Sequence, residues 1–250
     1  MASAEGAGEV RAGPDGAGPA GAGHDEAEQE RARREAQLNS RAADRLTAFA
    51  DAVVAIAITL LALDLPVPTG SDIHQFWASA RADDPRYLAF LISFGAIASA
   101  WSQHHDLFRY DRGTDGRMRT YHLAWLLMIV LIPYATRLLT TTDHDNLVIH
   151  GLQWGSYSLV QALESGALLL MAHRMTARGL LEPDTPPRVV AHATGQSYGT
   201  MLGFGLSIPV FFVTENGWVV WIVIPLFVRL IRAHLHRRQP TSARGPVNSA

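Results

Sequence analysis

Six stretches of about twenty predominantly apolar residues, near 46–66, 87–108, 120–140, 150–173, 189–213 and 217–235, constrain this chain more than any other feature. Each has the length that a helix needs to cross about 30 Å of hydrocarbon. None shows the period-two alternation of a barrel strand. Because backbone polar groups in lipid must be satisfied within their own segment, the expectation is an all-α membrane protein with six transmembrane helices per subunit.

Charge is distributed unevenly around these stretches. Of the 23 acidic and 21 basic residues, 9 and 6 fall in the first 45 positions, where no large apolar side chain except Val10 precedes Leu38. Residues 1–39 are therefore read as a disordered cytoplasmic tail that turns helical around Glu28 to Arg45. The stretch has no apolar core of the kind a signal peptide carries. Residues 40–236 form the transmembrane domain in this reading, and 237–250 a short C-terminal tail.

Arginine placement sets the orientation. The first tail carries Arg11, Arg31, Arg33, Arg34, Arg41 and Arg45; the second-to-third connection carries Arg109, Arg112, Arg117 and Arg119; the fourth-to-fifth carries Arg174, Arg178 and Arg188. Arg229, Arg232, Arg237, Arg238 and Arg244 follow the last span. The alternate loops hold Arg81 and Arg86 beside Asp72, Asp83 and Asp84, then Asp143, Asp145 and Glu215. The pattern predicts a multi-pass protein of the cell membrane with both termini cytoplasmic.

Several function classes drop out. There is no cysteine, which removes disulfide scaffolds, thiolate metal sites and cysteine nucleophiles. A net charge of −2 offers no concentrated basic surface for nucleic acid. No H-E-x-x-H occurs, the Gly195-x-Ser197-x-Gly199 spacing lies inside an apolar helical stretch and forms no strand-to-helix nucleophile elbow, and the spans contain no carboxylate pair, so an enzyme is not expected.

The first span, from Arg45 to Pro68, is the most informative. At 3.6 residues per turn, Arg45, Phe49, Ala52, Ile56, Leu60 and Leu63 lie within about 40° of one line, with Thr59 at its edge. Asp51 lies about 140° from Ile56. A stripe of branched side chains at helical spacing also suits a packed bundle core, and periodicity alone leaves both readings open.

The residues of this span resemble a known signature. Arg45-x-x-x-Phe49-Ala50-Asp51, followed by Ala55-Ile56-x-x-Thr59-Leu60-Leu61-x-Leu63, is similar to the first-helix motif of the transmembrane protein 175 family of potassium channels. Ala50 stands where that family usually has serine. Ser93-Phe94, Trp101-x-x-His104-His105 and Ile132-Pro133 resemble later family patterns. The resemblance implies a homotetramer around a central pore lined by the first helix. It also implies an apolar constriction at Ile56, Leu60 and Leu63, with Thr59 offering hydroxyls, in place of a carbonyl filter. Arg45, Phe49, Asp51, Trp101 and His104 are then the signature and supporting network. The implied function is a leak-like potassium-selective channel, without a cofactor or metal beyond permeant potassium, and with the bilayer and sister subunits as partners.

A proton- or cation-coupled secondary transporter is the alternative, although no internal repeat of the kind such carriers use is visible. Asp64 is a candidate outer-vestibule carboxylate. Glu164 and Gln161 are read as a buried hydrogen-bonded pair or a proton-sensitive site. Gly195-x-x-x-Gly199-x-x-x-Gly203 suits close helix packing, and Phe76 and Trp77 suit a short interfacial helix.

Overall fold

The structure, a computed structural model, describes residues 19–111, 116–141 and 146–237. Seven α-helices account for most of them: α1 (Pro19–Leu63), α2 (Ile73–Ala82), α3 (Asp84–Phe108), α4 (Gly116–Leu139), α5 (Leu147–Arg178), α6 (Pro187–Phe211) and α7 (Val219–Arg237). A 3-10 turn, Glu215–Trp218, leads into α7. Among the described residues there is no β-strand, only an isolated bridge between Asp111 and Leu181. The protein is all-helical.

The six apolar stretches fall in α1, α3, α4, α5, α6 and α7, while α2 is the short helix bearing Phe76 and Trp77. By length and composition, two segments are candidates to cross a bilayer: Asp44–Leu63, with mean hydropathy 2.3, and Gly116–Leu139, with 1.6. The other helices carry polar residues that lower the average, and several of these are buried. Ser93 and His104 in α3, Ser158 and Gln161 in α5, and Ser197 and Ser207 in α6 are examples.

The tail of 1–39 was expected to turn helical around Glu28, and α1 runs from Pro19. Alanine, glutamate and arginine are strong helix formers, so this polar stretch extends as a helix on propensity alone. An Arg34–Glu30 pair at 2.9 Å, one turn apart, adds local support. Residues 1–18 and 238–250, with Arg11, Arg238 and Arg244, lie outside the described residues, as do Arg112, Asp143 and Asp145.

The helix ends follow from local chemistry. α1 stops just short of Pro66, which disfavours helical geometry in the residue before it. Asp72 caps α2 by accepting from the backbone N–H groups of His74 and Gln75 at 2.8 and 2.9 Å. Gly179, left-handed at φ 62°, closes α5, and the Leu180 N–H reaches back to the Met175 carbonyl at 3.0 Å.

α5 packs against α4 on one side and α6 on the other, and α6 packs against α7. α1 lies at the edge, held by α3 and α4. Trp125, Ile129 and Ile132 of α4 and Tyr157, Leu168 and Met171 of α5 are fully buried in the core. The glycine stripe of α6 does serve packing. A Cβ on Gly199 would sit 3.1 Å from the Pro225 Cα, and one on Gly203 would sit 3.0 Å from the Pro225 Cδ.

Candidate functional site

The C-terminal half of α1 has two distinct faces. Ala50, Val54, Ala57 and Leu61, spaced by four, three and four residues, are buried against α3 and α4. On the opposite side Ile56, Leu60 and Leu63 are 57%, 44% and 79% exposed, and Phe49 is exposed with them. The apolar stripe picked out in the sequence is thus not the core of the single subunit. Thr59 shares this exposed face, its hydroxyl donating to the Ile56 carbonyl at 2.8 Å. Such back-bonding satisfies the O–H within the helix and leaves the oxygen as an outward acceptor.

Asp51 occupies the flank between the two faces. The indole N–H of Trp101 donates to its carboxylate at 2.8 Å, joining α3 to α1. The remainder of the expected network does not assemble. Arg45 is exposed and has no ion-pair partner among the described residues. His104 is fully buried elsewhere, stacked between Phe108 and Trp125 at centroid distances of 4.3 and 4.4 Å and edge-on to His122 at 4.7 Å. Among the described residues, the ring nitrogens of His104 and His122 have no hydrogen-bond partner. The reason is geometric: three residues beyond Trp101, His104 projects about 60° further around α3, toward α4 and away from Asp51.

Asp64, the candidate outer-vestibule carboxylate, has a basic neighbour. Its carboxylate lies 3.6 Å from the Arg137 guanidinium, the pair being partly exposed. Arg137 belongs to the last turn of α4, inside an apolar stretch, so a count of loop arginines passes over it. Asp64, Arg86, Arg137 and Thr140 line one cavity of about 350 Å³.

Sequence reasoning missed the polar chain that joins α3, α4 and α5. The Thr136 hydroxyl donates to Ser93 at 2.7 Å, Ser93 donates to the Tyr157 hydroxyl at 3.2 Å, and Gln161 donates to that same hydroxyl at 3.1 Å. The anticipated Glu164–Gln161 pair is therefore absent. Glu164 instead accepts from the Trp125 indole at 2.6 Å and from Ser165 at 3.0 Å. The spacing of Gln161 and Glu164 placed both on one face of α5, but nothing in it named Tyr157 or Trp125 as partners. Among the described residues no group of three or more histidine and carboxylate side chains is placed to hold a metal ion.

Comparison with known proteins bears on these same helices. The family described as endosomal/lysosomal potassium channel TMEM175 matches residues 45–133, from Arg45 of α1 to Pro133 of α4. A Streptomyces collinus protein named as a potassium channel is 30% identical over 171 residues, covering 68% of this chain and 82% of that one. The chain belongs to the TMEM175 family. A Chryseobacterium protein also named as a potassium channel is 39% identical over 98 residues, covering 39% of this chain and 49% of that one. Among solved structures, the crystal structure of a lysosomal potassium-selective channel TMEM175 homologue from Chamaesiphon minutus aligns with a TM-score of 0.57 at 25% identity. The alignment covers 76% of this chain and 98% of that one. The TMEM175 family match spans the two faces of α1 and the Asp51–Trp101 bond, while α5, α6 and α7 lie beyond it.

Proposed function

We propose that this protein is the subunit of a potassium channel in which four copies surround a pore lined by the C-terminal half of α1. The observation that carries the reading is the exposed stripe of Ile56, Leu60 and Leu63, opposite the packed stripe of Ala50, Val54, Ala57 and Leu61. A span held by its neighbours on one side only, with branched apolar side chains on the other, is suited to facing its own symmetry copies across a closed ring. The names of the Streptomyces and Chryseobacterium relatives support the ion.

In this arrangement α1, α3, α4, α5, α6 and α7 are the six spans, and both termini are cytoplasmic in a plasma membrane. The spanning domain covers 40–236, flanked by cytoplasmic tails at 1–39 and 237–250. Four copies of Ile56, Leu60 and Leu63 form rings too apolar to hold water when narrow. Conduction then requires the helices to part and hydration to enter, which is gating by dewetting. Thr59 supplies outward oxygens next to the rings, easing partial dehydration of potassium more than of the more strongly hydrated sodium. Asp64, tempered by Arg137, sets the charge of the outer mouth. Phe49 extends the exposed stripe, the Asp51–Trp101 bond holds α1 in register on α3, and the His104 aromatic stack fastens α3 to α4. Arg45 marks the cytoplasmic end.

Reconstitution of the purified protein into liposomes, with potassium and sodium influx compared and subunits counted by native mass spectrometry, tests this reading. A tetramer that passes potassium faster than sodium is expected. A folded monomer, or a protein passing neither ion, would overturn it.

A further inference from the structure

Outside the matched helices, α6 and α7 enclose a cavity of about 1070 Å³. One end is cationic, lined by Arg188, His192 and Arg229; the other is apolar, lined by Phe204, Trp221 and Leu226. Its lining includes no carboxylate. Neither arginine has an ion-pair partner among the described residues, and both are exposed. Asp106 lines an adjoining cavity of about 370 Å³ that Arg188 and His192 also border.

The distances along α6 match those of a lipid. Arg188 and Phe204 are sixteen residues apart, about 24 Å of helix rise. Half a bilayer measures about 20 Å from headgroup to midplane. Gly199 and Gly203 lie so close to Pro225 that neither leaves room for a Cβ, which packs α6 tightly against α7 along the cavity. Basic pockets between spanning helices on the cytoplasmic side attract anionic headgroups.

We propose that this cavity binds an anionic phospholipid, its phosphate between Arg188, His192 and Arg229 and an acyl chain running toward Phe204 and Trp221. The proposal rests on the cytoplasmic placement of the α6 N-terminus given above. It assigns α6 and α7 a lipid-sensing surface on the side of the bundle away from α1.

The test is native mass spectrometry of the full chain in detergent with added phosphatidylglycerol or phosphatidylcholine of identical acyl chains. Preferential retention of phosphatidylglycerol is expected, falling roughly 10- to 30-fold in Arg188→Gln/Arg229→Gln. Arg188→Lys/Arg229→Lys recovers most of it, and Arg81→Gln, in the loop after the first span, leaves it unchanged. Equal retention of both lipids, or wild-type retention by the glutamine pair with its fold confirmed, overturns the site. Potassium flux measured on the same samples separates the two readings. Flux with charge-blind lipid retention rejects the lipid site and leaves the channel standing, whereas charge-selective retention without flux supports the lipid site and rejects the channel.

Discussion

The indole nitrogen of Trp101 donates a 2.8 Å hydrogen bond to the carboxylate of Asp51, fastening α3 to the flank of α1 between its packed and exposed faces. A hydrogen bond to a charged acceptor is stronger than a neutral one, and here it fixes the rotation of the helix about its own axis. That rotation decides which side chains reach the exposed stripe.

Trp101→Phe removes the donor and keeps the ring. A loss of about 1 kcal/mol is expected, with the carboxylate, which is not fully buried, recovering part of its solvation from water. Asp51→Asn keeps an acceptor and is milder. A double-mutant cycle on detergent-solubilised protein, read by chemical denaturation, should return a coupling energy near that value; a coupling of zero would show that the contact does not hold the helix.

Leu60→Ala shortens one exposed side chain without touching the packed stripe. Flux should rise several-fold and selectivity for potassium over sodium should fall, because a wider apolar ring admits water more easily. Leu61→Ala, one residue along but buried, should cost about 2–5 kcal/mol of stability and leave selectivity in the surviving folded channels unchanged.

How much of this was legible beforehand depended on the kind of signal. The length of apolar runs marked the six stretches that fall in α1 and α3 to α7, and helical spacing marked the Ile56, Leu60 and Leu63 stripe, because side-chain direction along a helix follows from its period. Partnership across helices was not legible in the same way. Asp51 and Trp101 were correctly brought together, but His104, close by in sequence, was assigned to the same network when a 60° turn around α3 sends it to Trp125. The Ser93–Thr136–Tyr157 chain left no sequence pattern, since each residue contributes one ordinary hydroxyl. The sequence reading turned the tail helical only around Glu28, because low apolar content was equated with disorder, whereas the helix propensity of alanine, glutamate and arginine side chains does not depend on burial.

Thr136→Val tests that hydroxyl chain. Thr136 bonds Ser93 at 2.7 Å and the Ile132 carbonyl at 2.8 Å, all in the buried core. A near-isosteric methyl leaves Ser93 without one partner, and a loss of about 1–3 kcal/mol is expected, measured as a drop in thermal stability in detergent. Ser156→Ala, at an α5 hydroxyl that among the described residues bonds only its own helix at Leu152, should be close to neutral by the same measure.

Gly199→Leu places a side chain where a Cβ alone would already lie 3.1 Å from the Pro225 backbone. Separation of α6 and α7 should cost at least about 1–3 kcal/mol. At Gly205 nothing lies within 4 Å of an added Cβ, so Gly205→Ala should be tolerated. Equal effects at the two positions in a thermal-shift assay would contradict the packing described for α6 and α7.

The most direct test of a pore lined by α1 uses the absence of cysteine from the natural chain. Ile56→Cys, Leu60→Cys and Leu63→Cys each introduce a single thiol on the exposed stripe, and Leu170→Cys introduces one on the exposed side of α5. Potassium flux into liposomes is recorded before and after a charged methanethiosulfonate reagent. The account predicts that modification at the α1 positions, Leu63→Cys first, blocks flux while Leu170→Cys flux is unaffected. Undiminished flux through all three modified α1 variants, with labelling confirmed by mass spectrometry, would place the pore elsewhere.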